Sequence, residues 1–209
     1  MNIFRHRLAA VALTVFSLVG IPVVMSSCGT DATNDFYGYL PPSEKNVSSV
    51  SVRESGKSEP FTLKAAAGEI LIVYFGYTNC PDMCPTTMVA VRNAKQKIGD
   101  LATRVDLAMI TVDPERDTEN ILPRYLSSFS NKFHALVPDS DAQLRNAESA
   151  FQTTSSVTKT NGEIKVTHGG SAYVVDDTGK VVVEFPFGMD AKSMAHDLQI
   201  LLTERETKQ

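Results

Sequence analysis

The sequence predicts one α/β domain built on a mixed central sheet with helices on both faces. Three observations carry this. Glu69–Phe75 and Val105–Val112 are near-continuous β-branched and aromatic runs, as expected of strands buried on both faces. Helical patterns follow each of them. Toward the C-terminus this alternation gives way to an antiparallel pair and a closing helix. Two thiols, Cys80 and Cys84, lie just past the first buried strand and around the first turn of the next helix. That placement narrows the architecture to a thioredoxin-like fold.

Taken in order, Val47–Arg53 and Pro60–Leu63 form an N-terminal strand pair around a turn at Gly56. Glu69–Phe75 is the first core strand. Pro85 suits the first turn of the following helix, where its missing N–H costs nothing. Met88, Val91, Ala94 and Ile98 then share one face, and Gly99 ends the helix. Val105–Val112 is the second core strand. Asp113–Thr118 is a loop, with Asp117 or Thr118 capping a helix to about Ser128. Phe133–Val137 is a short strand, and Ser140 and Asp141 open a helix reaching about Phe151. Val157–Val166 alternates around Asn161-Gly162, the strongest short hairpin signal. This hairpin is an insertion before the late strands and ends at Thr167-His168-Gly169-Gly170. Ala172–Val175 and Val181–Phe185 pair around Asp177-Thr178-Gly179, and Asp190–Leu202 is the closing amphipathic helix. No internal repeat and no second domain is visible.

The N-terminus speaks to compartment. Arg5 and Arg7 precede an uncharged apolar segment from about Leu8 to Met25, the pattern of a secretory signal. Gly20 and Pro22 interrupt it, which disfavours an uncleaved membrane anchor. Ser26 and Ser27 stand directly before Cys28, with Gly29 after it; this resembles a bacterial lipoprotein cleavage box, in which Cys28 becomes the lipidated first residue. Met25 stands where such boxes usually carry Leu. The expected organisation is a lipoprotein-type signal peptide over 1–27, a flexible tether over 28–46 and a thioredoxin-like domain over 47–205. Tyr37 and Tyr39 lie in the tether and can dock on the domain surface. The expected location is the bacterial cell envelope, outside the cytoplasm and membrane-anchored through Cys28.

Composition is that of an ordinary globular protein, 43% hydrophobic and 21% charged over 209 residues. The formal net charge of −4 becomes −6 without Arg5 and Arg7, and no basic run exists. Nucleic-acid binding therefore has no electrostatic footprint. The chain holds three cysteines. With Cys28 carrying lipid, one pair remains for thiol chemistry.

Backbone N–H groups at a helix start are unpaired and its dipole favours negative charge, so the sequence predicts that thiolate is stabilised at Cys80 and Cys84. Redox-active thioredoxin motifs usually separate their cysteines by two residues; here Pro81-Asp82-Met83 intervene. The wider spacing permits a disulfide and also lets both sulfurs point at a common atom. Two soft thiolates suit Cu(I), and imidazole suits copper in either oxidation state. A structural zinc would need four good ligands, more than two cysteines and one histidine supply unless Asp82, Asp113 or another carboxylate joins. Of the histidines, His6 leaves with the signal, His134 begins a strand and His196 lies in the last helix beside Asp197. His168 lies at a strand end next to two glycines, which allow close backbone approach to a site. Its own residues leave it open between a ligand and a strand-end residue. Met88 reads as core, and Met83 lies in the loop between the thiols.

Tyr74-Phe75-Gly76-Tyr77-Thr78, Cys80-Pro81-Asp82-Met83-Cys84-Pro85, Thr111-Val112-Asp113-Pro114-Glu115-Arg116-Asp117-Thr118 and His168 together resemble the Sco (SenC-type) family. Its members are thioredoxin-fold copper proteins of cytochrome c oxidase assembly, and the resemblance runs from about Val50 to Leu202. It implies that Cys80, Cys84 and His168 hold one copper ion, Cu(I) or Cu(II). It implies a membrane-tethered metallochaperone that delivers copper to the copper-binding subunit of cytochrome c oxidase. Further implied partners are another copper chaperone or a thiol–disulfide reductant. Asp113 matches the family's aspartate and either supports the site, orients a partner, or serves only as a turn or cap residue. The family usually carries Asp before the histidine and Ser after it, whereas Thr167 and Gly169 stand here. The competing readings are a thiol–disulfide reductase that keeps the oxidase subunit's cysteines reduced through Cys80 and Cys84, and a redox sensor.

Overall fold

The computed structural model describes residues 36–206. The expected signal peptide and the expected lipidation residue Cys28 lie outside that range. A five-stranded mixed sheet forms the centre. Its first core strand, β3 (Ile70–Gly76), is buried along its whole length. It pairs in parallel with β4 (Val105–Thr111), from Ile70 opposite Val105 to Gly76 opposite Thr111. β4 in turn pairs in parallel with β5 (Phe133–Leu136). On the other side of β3, β8 (Ala172–Val175) runs antiparallel, and β9 (Val181–Phe185) follows it. The order is therefore β5-β4-β3-β8-β9. The fold is α/β and thioredoxin-like, as its elements in sequence foretell.

Helix α1 (Met83–Lys97) turns its apolar stripe inward, with Met88, Val91 and Ala94 buried. Gly99 follows at φ +60, and a 3-10 turn over Gly99–Arg104 that the sequence does not announce leads into β4. Helix α2 (Ile121–Leu126) is shorter than its sequence suggests at both ends. Asp117 does not cap it, because that carboxylate accepts hydrogen bonds from Thr78 and Thr111 instead. Helix α3 (Asp141–Phe151) starts on Ser140, whose hydroxyl accepts from the Gln143 N–H at 3.2 Å. Helix α4 (Ala191–Glu206) closes the domain. None of the described helices is long and apolar enough to cross a membrane.

The N-terminal strand pair is real but brief: β1 (Ser51–Val52) and β2 (Phe61–Thr62). Ahead of it the chain follows the outer edge of β9. Tyr39 and Glu184 exchange backbone hydrogen bonds at 2.9 and 2.8 Å, and the Val181 N–H donates to the Lys45 carbonyl. The Tyr37 and Gly38 N–H groups donate to the buried Asp197 carboxylate, and Lys45 pairs with Glu184 at 2.6 Å. An edge strand that would expose unpaired backbone groups is thereby covered.

The hairpin is longer than its alternation indicates. β6 (Ser155–Thr160) and β7 (Glu163–His168) form a separate two-stranded sheet around Asn161 and Gly162, both at positive φ. Its ladder runs from Ser155 opposite His168, so β7 ends at His168, where the sequence places the hairpin's end. At its base the Ser155 hydroxyl and Arg145 both bond the buried Glu148 of α3, which fixes the hairpin to the domain.

Candidate metal centre

β3 and β4 end at the same edge of the sheet, and α1 begins there. β8 runs antiparallel to β3 with Ala172 opposite Tyr74, so β8 starts at that edge as well. The residues just ahead of Ala172 must arrive beside the loop that follows β3. His168 is among them. Topology thus joins residues 84 positions apart in the chain.

The structure brings Cys80, Cys84 and His168 together, each offering one donor atom, all within 4.8 Å of one another. They are the only such group of three or more His, Cys, Asp or Glu side chains among the described residues. Metal–sulfur bonds of about 2.3 Å and metal–nitrogen bonds of about 2.0 Å put trigonal ligands roughly 3.7–4.0 Å apart. The donors present need only sub-ångström adjustment to meet that. Both thiols are free.

The imidazole is oriented. His168 Nδ1 lies 2.8 Å from the Gly169 carbonyl oxygen. A carbonyl only accepts, so the proton sits on Nδ1 and Nε2 keeps its lone pair. Nε2 faces the Cys84 sulfur at 3.5 Å. The rings of Tyr74 and Tyr77 stand edge-on to the imidazole, with centroids 5.9 and 5.8 Å away. These two aromatic walls belong to the motif in sequence, but nothing in their spacing marks them as neighbours of His168.

The sulfurs are unequal. Cys84 is wholly buried, whereas Cys80 is half-buried and accepts the Cys84 N–H at 3.3 Å. Thiolate was expected at both positions from the helix start. At Cys84 the opposite holds: burial pushes its thiol up to about 12, the neighbouring Cys80 adds to this, and the Tyr77 backbone bond only partly offsets it. Burial and the two thiols likewise push the Tyr74 phenol far above its ordinary range. Room for the Cys84 sulfur comes from Gly76 at the end of β3, where an added Cβ would sit 3.0 Å from Sγ. A cleft of about 370 Å³ opens over Cys80 and His168 between Met83 and Phe187, so the solvent-side sulfur and the imidazole are reached from outside.

Asp113 is not part of the three-residue cluster. Its N–H donates to the Thr111 hydroxyl at 3.0 Å, and its carboxylate pairs with Arg116. Arg116 in turn lies over the Tyr77 ring, 5.8 Å from its centroid. Asp113 therefore reaches the site only through Arg116 and Tyr77, and its carbonyl also accepts from Arg116 and Asp117 in the turn. Asp82 also stays outside the cluster. The residue that ties the loops together is Asp117. It is fully buried and accepts from the Thr78 N–H at 3.0 Å, the Thr78 hydroxyl and the Thr111 hydroxyl at 2.7 Å. A lone carboxylate in a loop gives no sequence signal of that role. Met88 is core, as its spacing predicts. His134 bridges Glu54 and Asp106, far from the thiols in the sheet, and His196 contacts Asp197.

Comparison with known proteins agrees with this picture. The family model described as SCO1/SenC matches residues 53–203. A putative copper-binding protein of Stutzerimonas stutzeri is 31% identical over 124 residues, covering 59% of this chain and 61% of its own. The apo Sco1 protein of Thermus thermophilus superposes with a TM-score of 0.69 at 29% identity, over 81% of this chain and 99% of that one. ScoI of Bradyrhizobium japonicum, solved with copper bound, gives a TM-score of 0.62 at 28% identity, over 73% and 96%.

Proposed function

The chain belongs to the SCO1/SenC family, and from that premise we propose that it is a copper carrier of the cell envelope. Cys80, Cys84 and His168 hold one copper ion per domain. The observation that carries the proposal is the convergence of two sulfurs and one lone-pair-bearing imidazole nitrogen within 4.8 Å. Two thiolates and a neutral imidazole are a soft, three-fold set suited to Cu(I). Cu(II) takes a water or carboxylate from the cleft as a fourth donor. Copper replaces the proton on the Cys84 sulfur, so affinity falls as pH falls. The half-buried Cys80 faces the cleft and is the sulfur a recipient's ligands reach first. Copper passes by ligand exchange to the copper-binding subunit of cytochrome c oxidase. Residues 1–27 are a signal peptide and Cys28 carries the lipid. The stretch from 28 to 46 links it to the domain at 47–205, and Asp113 positions the Arg116–Tyr77 wall of the site.

Copper titration of the reduced protein, read by absorption and paramagnetic resonance, tests this. Cys80→Ser and Cys84→Ser are each expected to abolish one-to-one retention. His168→Ala is expected to weaken Cu(II) more than Cu(I), because two thiolates alone can hold Cu(I). Equal copper affinity in all three variants and the parent would remove the proposal.

The unequal burial of the two sulfurs also favours a second reading, a thiol–disulfide reductase in which the half-buried Cys80 attacks and the shielded Cys84 resolves. It predicts a reversible disulfide with a potential of roughly −180 to −270 mV and activity that survives His168→Ala.

A further inference from the structure

We propose that Gly169 and Thr153 act as a pair of positioning residues that hold His168 in its lone-pair-forward orientation. The inference rests on the reading of His168 as a copper ligand and concerns how this chain aims it.

The orienting bond is unusual in being local. His168 Nδ1–H donates to the carbonyl of the very next residue, Gly169, at 2.8 Å. The ring can aim Nε2 at the Cys84 sulfur only while that carbonyl stays in place. The position of Gly169 is defined on its other side, because its N–H donates to the Thr154 carbonyl at 3.2 Å.

Gly169 is not among the positive-φ glycines, so its backbone does not itself call for glycine. What excludes a side chain is Thr153. A Cβ at position 169 would lie 2.3 Å from Thr153 Oγ1, a contact real structures essentially never show. Thr153 is not free to turn away. It is β-branched and stiff at χ1, and its N–H donates to the Glu148 carbonyl at 2.9 Å. An alanine at 169 would have to retreat by about 1 Å, from 2.3 Å to the 3.4 Å where ordinary contact begins. The carbonyl moves with it, and a 2.8 Å hydrogen bond lengthened by that amount is lost. Removing the Thr153 hydroxyl relieves the conflict, because the remaining Thr153 Cβ is 3.6 Å away, an ordinary contact.

The test uses Gly169→Ala, Thr153→Ala and the double variant in the reduced protein. The ring nitrogens of His168 are followed by NMR in the metal-free state, and copper is titrated separately. The parent is expected to show a single Nδ1–H tautomer. Gly169→Ala is expected to mix tautomers and lose about 10-fold or more in Cu(II) affinity, the usual scale for removing a ligand's orienting partner. The double variant is expected to regain the parent tautomer and come within about 3-fold of the parent affinity. Unchanged ring signals in Gly169→Ala, or a double variant no better than the single one in signals or in folding, overturns the proposal. Failure of His168→Ala to alter copper binding would overturn the ligand reading instead, and the metal-free tautomer measurement separates the two.

Discussion

Asp117 holds the two site loops together, and replacing it should loosen both. Its carboxylate is fully buried and accepts from the Thr78 N–H, the Thr78 hydroxyl and the Thr111 hydroxyl. Thr78 follows β3 and leads to Cys80, and Thr111 ends β4. Asp117→Ala leaves the Thr78 N–H and the Thr111 hydroxyl without an acceptor, at about 1–3 kcal/mol each. Part of this is offset, because burial already disfavours the charge and raises the Asp117 carboxyl above the usual range. The net loss is then about 2–4 kcal/mol, or a fall in Tm of roughly 4–16 °C for a domain of this size. Differential scanning calorimetry of the reduced, metal-free protein measures it. Asp117→Asn keeps one acceptor and should lose less. The sign of its pH dependence follows from the raised carboxyl. Stability from such a group is fully present below its unfolded pKa and declines as pH rises through the folded one. The parent should therefore gain on Asp117→Asn as the solution is acidified. A Tm for Asp117→Ala within 1–2 °C of the parent at about pH 7 would refute the reasoning, since no buried donor would then have needed that carboxylate.

Two further predictions concern the frame around the site. Burial opposes a charge on His134, but hydrogen bonds and charge from Asp106 and Glu54 outweigh it and raise its pKa above 6.5. The stability it contributes is complete below that value and lost as pH rises through the raised one. In urea titrations across this range, the parent's margin over His134→Gln should shrink with rising pH; a margin that grows contradicts the pairing. Lys45 and Glu184 form a pair whose side chains are 7% and 12% exposed, joining the leading segment to β9. Lys45→Met strands the Glu184 carboxylate and should cost about 3–5 kcal/mol, whereas adding Glu184→Leu should return most of it. Denaturation midpoints decide this, and a double variant as unstable as the single one would show that packing, not charge, holds the segment.

Much of the architecture is legible in the chain because hydrophobic pattern acts locally. The unbroken runs of β3 and β4, the stripe of α1 and the Asn161-Gly162 turn each announce their element without reference to the rest. Elements set by long-range bonding are less visible. Asp117 fails as a helix cap because a distant threonine takes its oxygens. Cys84 shows the same conflict in electrostatics. A helix start favours thiolate, but the core that closes over this sulfur removes the water that stabilises charge.

Sequence alone determined the strand–thiol–helix unit, because only three residues separate Cys80 from Cys84, and the turn into the helix brings the two thiols near each other. Only the tertiary structure decided that His168 joins them. That contact depends on β8 running antiparallel to β3, on a hairpin that ends at the sheet edge, and on a neighbouring carbonyl turning the ring. The strand pairing joins segments remote in the chain, and even the ring's bond to the adjacent carbonyl depends on Gly169 being held by Thr154 and crowded by Thr153, since such segments compete for the same hydrogen bonds and the same space.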